Sequence, residues 1–218
     1  MGMLFMLAVI FIIAYPIWAI SRRIQTGERA KFAVQVHATL SEHLDKDISR
    51  KLEWFDPFAE GVIDSSVKDV VRGTRDSISY TVFDYLQYNY SLIRNSDVSS
   101  WTTYAYFEGD ANLSLNFLIR PKGMFDVFLP RKMKQSLFRP PARDGVNLTI
   151  FVSDQQRAAA LLTPSVLRYL TKGGRLRIEG RDNRAIMYLP QKRIAGKKLE
   201  EFLDNTYQTY SLLFGYSR

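Results

Sequence analysis

Ser77–Tyr90 reads SISYTVFDYLQYNY, fourteen residues dense in β-branched and aromatic side chains that alternate along the chain. Period-two alternation of this kind predicts a strand with two distinct faces, which belongs in an antiparallel sheet. Upstream, Val67, Val70 and Val71 come just before Gly73. The polar link GTRDS then reads as a hairpin turn, with Gly73 available for a positive φ. Downstream, past a polar loop at Asn95–Ser100, WTTYAYF (Trp101–Phe107) and LSLNFLI (Leu113–Ile119) predict a second hairpin around Glu108, Gly109 and Asp110. Four strands in succession make a meander, with one face covered by the helix that precedes it.

That helix is expected over Glu28–Trp54, where Phe32, Val36, Leu40, Leu44, Ile48 and Leu52 recur every four residues on a polar background. A strict spacing of four drifts around a 3.6-residue helix. The stripe therefore wraps; it packs on the domain or pairs with a second copy as a short coiled coil, which leaves a homo-oligomer open. Asp56 and Pro57 end it. His37 and His43, six apart, are expected on different faces of this helix, the wrong spacing for a metal pair.

After the meander, Arg120–Arg143 is different in composition. Arg120, Lys122, Arg131, Lys132, Lys134, Arg139 and Arg143 alternate with Pro121, Pro130, Pro140, Pro141 and an apolar group that includes Phe125 and Phe128. Prolines and charges predict an irregular connection. Basic residues interleaved with aromatics make it a candidate surface for anionic lipid or a partner, against the plainer alternative that Phe125 and Phe128 tuck into the core. A strand at Val146–Val152 follows, then Asp154 as N-cap of a helix to Leu162, and a second helix from Pro164 that stops at Gly173–Gly174. Arg175–Glu179 and Ala185–Leu189 form a hairpin, and a last amphipathic helix begins near Gly196 with Leu199, Phe202, Leu203, Tyr207, Tyr210 and Leu213 on one face.

The other end of the chain sets location. Met3–Ile20 (MLFMLAVIFIIAYPIWAI) is almost wholly apolar, and no charge precedes Arg22. Roughly 20 such residues as a helix cross a hydrocarbon core of about 30 Å. A cleaved signal would carry its basic residues before the apolar run, so an uncleaved anchor is expected ahead of a signal peptide or a buried helix. Tyr15 and Trp18 suit the interfacial aromatic belt, and Pro16 sits near the exit where a loosened turn is tolerable. Arg22 and Arg23, followed by Arg29 and Lys31, direct the bulk of the chain to the cytoplasm by the positive-inside rule. The expected division is a transmembrane anchor at 1–21, a membrane-proximal amphipathic helix at 22–56 and an α+β domain at 57–218. The expected location is the bacterial inner membrane, with a single pass.

Composition narrows function mainly by exclusion. There is no cysteine, which removes disulfides, thiolate metal sites and cysteine nucleophiles. Residues 1–119 carry 11 Lys/Arg against 14 Asp/Glu, while residues 120–218 carry 19 against 8. That asymmetry points to an anionic partner, and for a tethered domain the lipid bilayer is the nearest one. Nucleic acid is the weaker partner because no recognition motif accompanies the charge. No nucleotide-binding, metallohydrolase or serine-hydrolase motif occurs, and no cofactor is implied. Asp84, in VFDYLQY, is the one acid in an apolar context. As a catalytic acid it lacks a partner at readable spacing, so an outward-facing or backbone-bonded aspartate is expected.

The segments VKDVVRGTRDSISYTVFDYLQY, RPKGMFDVF, ALLTPSVLRYL, RLRIEG and RAIMYLP, with the last helix, resemble an uncharacterised family of bacterial membrane-anchored α+β proteins. The resemblance spans about residues 62–213 and implies a fold and a membrane location, with no activity and no site residues to carry over. The expected function is a membrane-anchored interaction or scaffold module serving another membrane protein or assembly. Alternatives are an enzyme acting on a lipid or envelope substrate, and a basic nucleic-acid-binding module.

Overall fold

The computed structural model describes residues 27–58, 66–91, 96–111, 113–122, 136–138, 147–172 and 175–216, with the backbone alone at 87–91, 96–98 and 136. The expected anchor, with Tyr15, Pro16, Trp18, Arg22 and Arg23, lies outside these residues. Among the described residues no helix is long and apolar enough to cross a membrane.

Alternation in the quoted stretch does form a strand. β2 (Val67–Arg75) and β3 (Ile78–Ser91) are antiparallel neighbours, and β3 pairs along its whole length with β4 (Ser96–Glu108). The β2–β3 turn is the two-residue loop Asp76–Ser77, both at positive φ, the geometry that matches strand twist in a tight hairpin. Gly73 is not the turn residue. It sits within β2 opposite Tyr80, whose ring occupies the space a Cβ would need.

The remaining strands are β1 (Thr39–Ser41), β5 (Phe117–Pro121), β6 (Ser136–Leu137), β7 (Leu148–Val152), β8 (Arg177–Arg181) and β9 (Arg184–Tyr188). Among the described residues they complete one antiparallel sheet in the order β1-β2-β3-β4-β9-β8-β5-β7-β6. The chain is therefore α+β around a large antiparallel sheet, but not the expected meander. β4 and β5 do not form a hairpin: the β8–β9 hairpin is inserted between them. The 109–113 loop is held to the tip of that hairpin, Gly109 N–H donating to Asn183 O at 3.2 Å and Leu113 N–H to Asp182 O at 3.1 Å. All five residues of β9 are buried, and a strand buried on both faces is favoured in the centre of a sheet over an exposed edge.

The helix expected over Glu28–Trp54 is broken in two. Residues 27–35 are helical (α1), His37 turns the chain at φ 51°, β1 follows, and a new helix, α2 (Lys46–Leu52), starts under an Asp45 N-cap. The fourfold apolar stripe is shared between the two faces of the sheet. Phe32 is buried on one face, where Val36 and Leu40 pack beside it, while Leu44 and Leu52 are buried on the other with Ile48 against them. The segment crosses the sheet edge at β1 and covers both sides. His37 and His43 flank that crossing and are both exposed.

The C-terminal half follows expectation closely. α3 (Gln155–Leu161) is capped by Asp154, which accepts from Gln156 N–H and Arg157 N–H. α4 (Pro164–Lys172) begins at its proline, and α5 (Lys197–Phe214) lies on the same face as α1 and α4, with Leu199, Leu203, Tyr210 and Leu213 buried. The opposite face is closed by α2 and a short 3-10 turn, Asp56–Phe58, whose Phe58 meets Phe83, Tyr85 and Tyr104 at ring separations of 5.0–5.9 Å.

Candidate functional site

Asp84 lies next to Tyr85, the last β3 residue paired with β2 before β3 outruns the sheet. Val82 and Asp84 share one face by alternation, and Phe83 takes the other. The expectation of an outward-facing or backbone-bonded aspartate fails. Asp84 is fully buried, and its carboxylate is met by three side-chain donors. Oδ1 accepts from Arg29 Nη2 at 2.7 Å and from Thr103 Oγ1 at 2.6 Å; Oδ2 accepts from Arg193 Nε at 2.6 Å.

Each partner arrives from a different element. Arg29 comes from the first turn of the described part of α1, Thr103 sits directly opposite Asp84 on β4, and Arg193 lies in the connection from β9 to α5. Arg193 reaches on through Nη2 to Asp69 at 2.8 Å. Asp69 stands at φ 53° where the β2–β3 register shifts between Lys68 and Val71, so a β-bulge brings this second carboxylate to the cluster. Backbone completes it: Arg29 Nη2 also donates to Ile194 O at 3.0 Å, and Ile194 N–H donates to Thr103 Oγ1 at 2.8 Å.

Two arginines and two aspartates make the cluster formally neutral, which is what charges removed from water require. It clamps α1, the bulge in β2, the β3–β4 rung and the lead-in to α5 at a single point. As chemistry it is a clasp: every Asp84 oxygen is already engaged and solvent does not reach it. The sequence made Asp84 visible as an acid among aromatics. It did not mark Arg193, Asp69 or Thr103, and it counted Arg29 among the positive-inside charges, because the pairings span 55 and 109 residues.

A second buried acid lies on the opposite face. Glu179 of β8 is 1% exposed; its Oε2 accepts from Asp56 N–H at 2.9 Å, and Tyr188 OH donates to Oε1 at 3.5 Å. Among the described residues no arginine bonds it. Burial foremost, then the charge of Asp56, pushes its pKa up to about 7; the Asp56 N–H, Arg177 and Arg181 oppose the rise.

Two clefts flank α5 and share Tyr207. One, of about 540 Å³, is bordered by Asp76, Tyr169, Gln208, Leu212 and Tyr216; the other, of about 320 Å³, by Arg75, Tyr80 and Asp204. Their polar walls are largely bonded to each other: Tyr207 OH donates to Asp76 at 2.9 Å, Tyr169 OH to Gln208 at 3.2 Å and Arg75 to Asp204 at 2.7 Å. Among the described residues there is no group of three or more metal-ligating side chains.

Of the basic stretch expected to face lipid or a partner, Arg120 and Lys122 are described. Arg120 is half-buried at the end of β5 with its guanidinium 5.6 Å from the Phe151 ring centre, and Lys122 is exposed. Phe125, Phe128, Arg131, Lys132, Lys134, Arg139 and Arg143 lie outside the described residues.

No family model matches the chain, and no curated protein does. Among solved structures, the crystal structure of the mycobacterial trehalose monomycolate transport factor A is similar, with a TM-score of 0.61 and 12% identity over 87% of this chain and 94% of that one. At that identity the likeness is one of fold, so this chain and the transport factor share an architecture over nearly the whole length of both.

Proposed function

We propose that the protein is a single-pass, cytoplasm-facing interaction module of the inner membrane, an accessory of an assembly that moves or positions envelope lipid. The observation that carries this is the Arg29 clasp. Arg29 stands nine positions beyond Ile20, the end of the apolar run, and is tied by a buried ion pair to Asp84 of β3, an interior strand of the sheet. A domain seized so soon after an anchor is held close to the bilayer with its orientation restricted, which suits a scaffold. Shared architecture with a protein described as a trehalose monomycolate transport factor supports the lipid-handling part, since a monomycolate is a fatty acyl ester. The apolar run Met3–Ile20 followed by Arg22 and Arg23 supports the anchored part, and the basic 120–143 stretch remains a candidate partner or lipid surface.

As an enzyme on a lipid or envelope substrate the chain has lost its nominated acid, since Asp84 is sealed beneath two guanidiniums and a hydroxyl.

Two measurements on the full-length chain test the proposal. In sealed vesicles of known sidedness the chain resists alkaline extraction, and added protease digests the domain only where the cytoplasmic face is outermost. Purified in mild detergent, it brings with it an integral membrane protein of lipid transport. Extraction as a peripheral protein, or a domain protected by the periplasmic lumen, overturns the anchor and its direction. Purification alone overturns the accessory role.

A further inference from the structure

β3 and β4 continue past the rest of the sheet. β2 leaves β3 at the Val67–Tyr85 pair and β9 leaves β4 at Tyr104–Tyr188, whereas β3 and β4 go on pairing from Leu86–Trp101 to Ser91–Ser96. Six further rungs at about 3.3 Å each carry a two-stranded ribbon about 20 Å beyond its neighbours. A two-stranded ribbon is marginal in water by itself, and this one is rich in aromatics, with Tyr88 and Tyr90 following Leu86 at period two in the sequence.

The same end of the domain receives the chain from the apolar run. Arg29 bonds Asp84, at the ribbon's base, while just past the C-terminal end of α1 the Val36 carbonyl accepts from Tyr80 OH at 3.4 Å. α1 thus runs back along β3, and its N-terminal end points the way the ribbon projects. Six residues lie between Ile20 and Gly27, and the seven Cα-to-Cα steps, fully extended, span at most about 24 Å. An anchor ending at Ile20 therefore places the bilayer surface within a distance that the ribbon also covers.

Basic side chains are exposed at this end. The β9–α5 connection is pinned beside the ribbon's base, Gln191 N–H donating to Thr102 Oγ1 at 3.1 Å; it carries Lys192, and Lys197 and Lys198 open α5 directly after it, all three exposed. Lys68 lies over the Trp101 ring at 4.5 Å. The exposed acids Glu28, which stands against Gly196, and Glu201, one turn beyond Lys197, offset part of this charge, and the ribbon itself carries Asp97 opposite Tyr90.

We infer that the β3–β4 ribbon and the lysines at its base form a bilayer-facing surface: the ribbon enters the interfacial layer beside the anchor while Lys192, Lys197 and Lys198 engage anionic lipid headgroups. This rests on the proposed anchor and adds which side of the domain faces the membrane. Aromatic side chains are favoured at the interface, and each lysine near an anionic leaflet contributes about a fivefold bias.

The chain's lack of cysteine makes site-specific labelling direct. Full-length protein carrying Asn89→Cys on the ribbon, or Thr74→Cys at the opposite end of the sheet, is spin-labelled and reconstituted into phosphatidylcholine vesicles with and without phosphatidylglycerol. Collision with oxygen and with a water-soluble nickel complex then reads depth. The expected result is interfacial depth for the label at position 89 in anionic vesicles, weakened by high salt, and aqueous exposure at position 74 in both. Replacing Lys192, Lys197 and Lys198 with Gln lowers the immersed-to-aqueous ratio at position 89 by roughly 100-fold. These residues are exposed, and an unchanged circular dichroism spectrum establishes that the variant is folded. An aqueous label at position 89 in a chain that still floats with vesicles overturns this surface and leaves the anchor standing. A chain that does not float overturns the anchor proposal itself. Immersion unaffected by the lysine changes overturns the headgroup contact.

Discussion

Asp84 and Glu179 are two acids buried to the same degree on opposite faces of one sheet, and their surroundings differ in kind. Asp84 is opposed by two guanidiniums and a hydroxyl, and the cluster around it sums to zero charge. Glu179 has a backbone N–H and a tyrosine hydroxyl, with Asp56 as an unfavourable neighbour. Desolvation is offset by opposite charge in the first case and by uptake of a proton in the second. The first arrangement fastens elements together, whereas the second makes the contact between β8 and the 56–58 turn sensitive to pH.

The largest expected effect comes from breaking the compensated side. Asp84→Asn leaves two arginines, one of them almost wholly buried, facing a neutral amide, and costs about 4 kcal/mol of folding stability. Urea titration of the full-length chain in detergent measures it; a loss under about 1 kcal/mol would mean that the clasp is not what holds α1.

Glu179 supplies the next largest effect and the clearest contrast. Its folded pKa is raised to about 7 from 4.5, so between these values the native state holds a proton that the unfolded chain has released. Its stabilising contribution is complete below about pH 4.5 and is lost as pH rises through about 7, by roughly 3 kcal/mol in all. Glu179→Gln keeps an acceptor for the Asp56 N–H and removes this fall. The variant is therefore about 3 kcal/mol more stable than the parent at pH 8 and similar at pH 4.5. Parallel slopes in the two proteins between pH 5 and 8 would locate the titration elsewhere.

Smaller effects grade the same comparison by exposure. Asp69→Asn weakens the open end of the clasp, where Arg193 is 27% exposed and keeps Asp84, and costs about 1 kcal/mol. Asp204→Asn cuts an ion pair to Arg75 whose partners are each half exposed; its cost is below about 0.5 kcal/mol and vanishes in high salt. If Asp69→Asn proves as costly as Asp84→Asn, the four charges act as one unit and the centre of the clasp has no special standing.

Much of the C-terminal half was legible because its signals are local. Asp154 caps three residues away, Pro164 and Gly196 mark helix starts, and the apolar face of α5 follows helical spacing. The β2–β3 hairpin was legible for the same reason, although Asp76 and Ser77, not Gly73, supply the positive φ. The two misread segments share a cause. Apolar spacing reports that residues are buried without saying against which surface, so Phe32 and Leu52 looked like one stripe when they serve opposite faces. Likewise two adjacent strand-like runs, β4 and β5, imply a hairpin until a later hairpin from residues 177–188 competes for the same edges.

By itself, the sequence determined that this is an α+β chain with a large antiparallel sheet, no cysteine chemistry and a basic C-terminal half, since composition and period-two alternation act within a few residues. Only the tertiary structure decided the strand order, the passage of residues 27–58 around the sheet edge, and the partners of Asp84 and Glu179. Those depend on which distant segments win a shared surface, and a buried charge takes its character from whatever the fold brings to within about 3 Å of it.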